Sequence, residues 1–136
     1  MKQPIIEFEN IEQACACLEE WKARLFLSDW IVKIVLCDAD EMSLQDVSGE
    51  CEWNYGCHSA VIRILKDPPK DRIIKVAHEV TLVHELLHMK IIYDMCDEDT
   101  IQGQYWRDQQ HNLIDQIARS LIMAKYGVDF SWFRNF

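Results

Sequence analysis

Residues 81–90 read TLVHELLHMK, and the interpretation of the whole chain turns on this stretch. It carries His-Glu-x-x-His in His84, Glu85 and His88. Residues four apart on a helix differ by about 40° in direction and about 6 Å along the axis. Two imidazoles so placed can converge on one metal ion. Glu85 sits beside the first of them and can act as general base toward a water bound to that ion. In a chain with 5 His among 136 residues, chance alone produces the pattern roughly once in 70 such chains, so its surroundings must carry the argument.

Those surroundings are strongly periodic. The spacing predicts a long helix from about Arg72 to Tyr93, with Ile73, Val76, Val80, Val83, Leu87 and Ile91 as its core stripe. His84 and His88 fall immediately beside that stripe and Glu85 just beyond them, at the edge of the core where a cleft would lie. Leaving two imidazoles and a carboxylate there without a ligand would be costly. The alternative is a pair of surface histidines in caps or salt bridges on an ordinary helix. His78 and Glu79 form a second His-Glu pair, but position 82 is Leu, so the motif is not repeated. His78 is too far along the axis to be a ligand and reads as a solvent-facing residue or a support for the ligands.

Further outward, Ile11 to Leu27 reads as an amphipathic helix capped by Asn10. Trp30–Leu36, Glu50–Tyr55 and Ala60–Leu65 read as strands. Short turns between strands favour antiparallel pairing. A last helix is expected from Gln104 to Tyr126, closed by Gly127. Its stripe is Trp106, Gln110, Leu113, Ile117, Leu121 and Ala124, and His111 lies at the margin of that stripe. The aromatic tail VDFSWFRNF should pack back onto the body. The layout is α+β: a small antiparallel or mixed three-stranded sheet against an N-terminal helix, the motif helix and a C-terminal helix.

A catalytic zinc site takes three protein ligands and keeps one position open. The third ligand must come from elsewhere in the chain. The candidates are Asp94, Asp97, Glu98, Asp99, Asp108, His111 and Asp115. Two packed helices could bring His84, His88 and His111 to one point, and Asp115 could hold the His111 ring.

Length and composition bound the rest. A chain of 136 residues is one domain, spanning 1–136, and can bury a core without staples. With 14 Lys+Arg against 23 Asp+Glu the net charge is −9. That argues against a sequence-tolerant nucleic-acid binder and against docking on anionic membranes. No stretch reaches the length of a membrane span. The start, MKQPIIEFEN, has two Glu and a Pro where a signal peptide has its apolar core. A cytoplasmic protein is expected, with its six cysteines reduced and mostly buried.

On these residues the chain resembles the zincin metallopeptidases, in particular small gluzincin-like proteins of phages and bacteria. The resemblance covers most of the chain: DWIVKIVL as first strand, SAVIRIL before the active helix, TLVHELLHMKI as the motif helix, HNLIDQIARSLI as the second metal helix. It implies one zinc ion on His84, His88 and His111, with Glu85 as catalytic base. His111 falls where that family commonly has Glu. A three-His shell leaves more positive charge on the metal and can alter water acidity or metal choice. The resemblance also implies a peptide or protein substrate that pairs with Ala60–Leu65 by strand addition. A Tyr among Tyr55, Tyr93 and Tyr105 could assist at the oxyanion. Two other readings stand beside the zinc-dependent peptidase. One is a non-catalytic zinc-binding interaction or regulatory protein of a phage or mobile element on the same fold. The other is a DNA-linked protease of the SprT type, disfavoured by the acidic charge and the lack of a zinc-ribbon tail.

Overall fold

A computed structural model describes residues 2–91 and 99–136. The element order is α1 (Ile11–Arg24), β1 (Ile31–Cys37), β2 (Gly49–Asn54), β3 (Ser59–Leu65), α2 (His78–His88) and α3 (Ile101–Tyr126), with short 3-10 turns at Ala39–Glu41 and Phe130–Arg134. This is the expected α+β layout, three helices around one small sheet. Asn10 caps α1 by accepting the Gln13 N–H at 2.8 Å. The helix stops short of Leu27 because Phe26 takes a positive φ of 58°. Thr100 caps α3 through the Gly103 N–H at 2.9 Å, and Gly127, at φ 68°, ends it in the left-handed conformation.

The sheet is mixed, not wholly antiparallel. Its order is β1-β3-β2. β3 runs antiparallel to β2, with Cys51 opposite Ile62, and parallel to β1, with Ile34 opposite Ile62. Only the β2–β3 link is a tight turn. The connection over residues 38–48 is long enough to carry β2 to the outer edge, so β3 returns between its predecessors. This corrects the peptide-pairing expectation for Ala60–Leu65: β3 is central with both of its edges bonded, and the edge near the motif helix that has no strand partner among the described residues belongs to β2. The inward side chains of β3 are Ala60, Ile62 and Ile64, following the two-residue period of a strand with one face buried.

The motif helix is shorter than its periodicity predicts. It starts at His78, since residues 72–77 are not helical. The N–H groups of His78 and Glu79 bond the carbonyls of Ile6 and Ile5 at 2.8 and 3.1 Å, while Lys75 N–H bonds Phe133 O at 2.6 Å. Distant segments thus satisfy the donors at the helix start. Ile73, expected in the core, is 83% exposed. The predicted end at Tyr93 lies outside the described residues. The apolar stripe also proves too narrow. Leu82, Val83, Leu86 and Leu87 are all buried, along with His78, Glu79, Thr81, Glu85 and His88. A helix covered on nearly every side is a central helix, flanked by α1, α3 and the sheet.

On α3 the buried line is Ile114, Ala118 and Ile122, one residue on from the predicted Leu113, Ile117 and Leu121. Trp106 and Leu113 are half exposed. The tail packs back as expected, with Phe133 fully buried.

Two residues dismissed by the sequence organise this packing. His78 is buried, and both of its ring nitrogens are taken up by main-chain groups. Its Nδ1 accepts the Phe8 N–H at 2.8 Å, so the ring proton sits on Nε2 and is donated to Leu65 O at 2.9 Å. Burial first, against the pull of the Leu65 carbonyl, holds its pKa below the ordinary value, in keeping with that neutral tautomer. Glu79 is fully buried and accepts from Trp21 Nε1 at 2.8 Å, Ile5 N–H at 2.9 Å, Lys125 Nζ at 2.9 Å and the Tyr126 hydroxyl at 2.6 Å. It ties α1, α3 and the N-terminal segment to the first turn of α2.

Cys17 and Cys37 are buried, Cys51 is half-buried, and Cys15 and Cys57 are exposed; all five are free thiols, so burial is less general than expected. Among the described residues no helix is long and apolar enough to cross a membrane.

Candidate metal centre

The central position of α2 brings the motif side chains to its junction with α3. His84 Nε2 and His88 Nε2 lie 3.1 Å apart. The His111 ring, carried by α3, is centred 4.7 Å from that of His84 and 5.7 Å from that of His88. One ligand atom from each of the three lies within 4.8 Å of the others, a group able to hold a metal ion. A tetrahedral centre with bonds of about 2.0–2.1 Å separates its ligand atoms by roughly 3.3 Å. The two α2 imidazoles already stand near that spacing. His111, half exposed, completes the set from the open side.

Asp115 settles the chemistry of His84. Its Oδ1 lies 2.7 Å from His84 Nδ1, while its Oδ2 is 3.7 Å from His111 Nδ1. The carboxylate therefore grips His84, not His111 as expected. Burial pushes the Asp115 pKa up, but the hydrogen bond and charge of His84 bring it below the usual range. An ionised carboxylate only accepts, so His84 Nδ1 carries a proton and Nε2 is the ring nitrogen turned toward His88. Burial, with the charges of the neighbouring imidazoles, lowers His88 to about 4 and also lowers His111. Neutral imidazole is the form that binds metal.

Of the other third-ligand candidates, Asp99 and Asp108 join no such group with the histidines among the described residues. Asp94, Asp97 and Glu98 lie outside those residues, as does Tyr93. Tyr105 is exposed on the first turn of α3. The Tyr55 hydroxyl donates to Met89 O at 3.1 Å.

Glu85 is buried next to His84. Desolvation raises its pKa to about 7, with His84 pulling down and Glu50 and Asp115 pushing up. A cation at the imidazoles would favour its ionised form. What lets the sheet come so close is Gly49, the first residue of β2. A Cβ there would stand 2.5 Å from Thr81 Cγ2 and 3.4 Å from Glu85 Cγ. Thr81 is buried and β-branched, so it cannot swing aside. Gly49→Ala should cost about 1–3 kcal/mol, read as a lower urea midpoint. Adding Thr81→Ser, which removes the obstructing methyl, should restore most of the loss. An unchanged midpoint in the single variant would show that β2 does not need this close approach. Further along β2, Trp53 stacks on His88 with ring centres 6.3 Å apart and planes 10° from parallel.

A cavity of about 450 Å³ opens onto the group, lined by His84, Glu85, His111 and Asp115 among others. This is within the usual size range for ligand sites. The chain matches no protein-family model, no curated protein and no solved structure. The reading of the site rests on its geometry.

Sequence reasoning named His84, Glu85, His88 and His111 together. It missed Gly49 and Trp53, and it gave Asp115 the wrong ring. Spacing carried a signal only for Asp115, one helical turn from His111.

Proposed function

We propose that this chain is a zinc-dependent metallopeptidase with a zincin-like fold, hydrolysing peptide bonds in a peptide or protein substrate. The observation that carries the reading is the pair of facing Nε2 atoms, 3.1 Å apart, with His84 fixed from behind by Asp115 at 2.7 Å. Imidazole nitrogens suit zinc, and His84, His88 and His111 would hold it. When bound, zinc supplies a Lewis acid that activates water and polarises a carbonyl.

The remaining roles belong to the chain. Glu85, buried next to His84, accepts the proton from the attacking water and can pass it to the leaving amine. Asp115 keeps His84 in its ligating tautomer. Trp53 packs over His88 and restricts that ring. β2, whose outer edge is free of strand partners among the described residues, is the strand to which an extended peptide would add.

The test is digestion of a defined peptide mixture by zinc-loaded protein, read by mass spectrometry. New termini should appear with zinc, vanish with a chelator and return when zinc is restored. Intact peptides after incubation with fully loaded protein would contradict the proposal.

A further inference from the structure

Three of the chain's 14 basic residues, Arg72, Lys75 and Arg119, line the cavity onto which His84 and His111 open. Elsewhere on this acidic protein the cations are mostly neutralised. Lys22, Arg24, Arg63, Lys66, Lys70 and Lys125 all stand within ion-pair distance of carboxylates. Among the described residues none of the three cavity cations stands within that distance, though the charge of Arg119 acts on Asp115 one helical turn away. The acids lining the same space are Glu85 and Asp115, which serve the metal group, and Asp46.

Two of the cations, Arg119 and Lys75, are held in place by the fold. Arg119 follows His111 and Asp115 at four-residue spacing, so the three share one face of α3. Its guanidinium lies 5.9 Å from the Phe130 ring centre. Lys75 is half-buried; its main-chain N–H bonds Phe133 O, and its ammonium donates to Lys70 O at 2.8 Å, leaving two further protons. Arg72 is exposed, at the end of the same segment. Cations in a concave, low-dielectric wall concentrate their field on whatever enters, and guanidinium groups match carboxylates in shape.

We propose that the cleft selects peptides carrying a carboxylate near the bond presented to the metal group, bound by Arg72, Lys75 and Arg119. The carboxylate is either an acidic side chain or a free C-terminus. The proposal rests on the peptidase reading for its meaning, but its test requires neither metal nor turnover.

Isotope-labelled full-length protein would be titrated with three peptides and followed by NMR. One is acetyl-Ala-Ala-Glu-Ala-amide, one is acetyl-tetra-alanine with a free C-terminus, and one is the uncharged acetyl-tetra-alanine amide. At least one carboxylate peptide should bind about tenfold more tightly than the amide and shift signals of Arg72, Lys75 and Arg119. Whichever does so names the source. Arg72→Gln, an exposed change that should leave the fold intact, should reduce the preference, and Arg72→Gln/Arg119→Gln should abolish it. Equal binding of all three peptides, or a preference unchanged in the double variant, would overturn the proposal. Loss of the peptidase reading would look different: no hydrolysis by loaded protein, with the carboxylate preference intact.

Discussion

Glu85→Gln should leave the metal in place and lower peptide hydrolysis by about 10²- to 10⁴-fold, the usual contribution of a positioned general base. The substitution keeps the shape of a side chain that is buried beside Thr81 and Gly49, so the fold has little reason to respond. Glu85 is not one of the three histidines able to hold an ion, so metal content should be unchanged. What disappears is the only carboxylate of α2 that stands next to the imidazoles and can take a proton there. The result separates an enzyme from a zinc-binding interaction protein on the same fold, which would lose no function. Hydrolysis equal to wild type, with the same metal content, would remove Glu85 from the mechanism.

Glu79→Ala should be strongly destabilising. Removing one member of a buried charge pair costs about 3–5 kcal/mol, out of a total stability of about 5–15 kcal/mol for a domain. The melting temperature should fall by roughly 10–20 °C. The carboxylate is the common acceptor for Trp21, Tyr126, Lys125 and the Ile5 N–H. Burial alone would lower the pKa of Lys125. Its hydrogen bonds with Tyr126, Glu79 and Glu20 hold it above the ordinary value instead, which marks an ammonium dependent on its partners. Lys125 retains Glu20 at 3.0 Å after the substitution, but the indole and phenol are left without their acceptor. A thermal shift of only a degree or two would show that Glu79 is not the tie between α1, α2 and α3.

The contrast between these two residues explains what could be read from the sequence. Glu85 was legible because the chemistry of His84, Glu85 and His88 is local, fixed by helical spacing over five residues. His111 was reachable because its place at the margin of an apolar stripe survives an error of one position in that stripe. Glu79 was not legible. Its partners lie 74, 58, 46 and 47 residues away in sequence, and nothing in the local pattern distinguishes it from a solvated Glu. The same reason accounts for the misplaced start of α2, which carbonyls of Ile5 and Ile6 determine. Strand positions came within one residue of those observed. Their pairing was legible only as antiparallel or mixed, because the parallel pairing of β1 with β3 depends on where a long connection leads, not on the composition of either strand.

The most direct test of the account is metal content, measured by mass spectrometry on wild type, His84→Ala and His111→Ala purified without added metal. Wild type should carry about one zinc ion per chain, lost from both variants. Wild-type protein that holds no metal even after zinc is added back would contradict it.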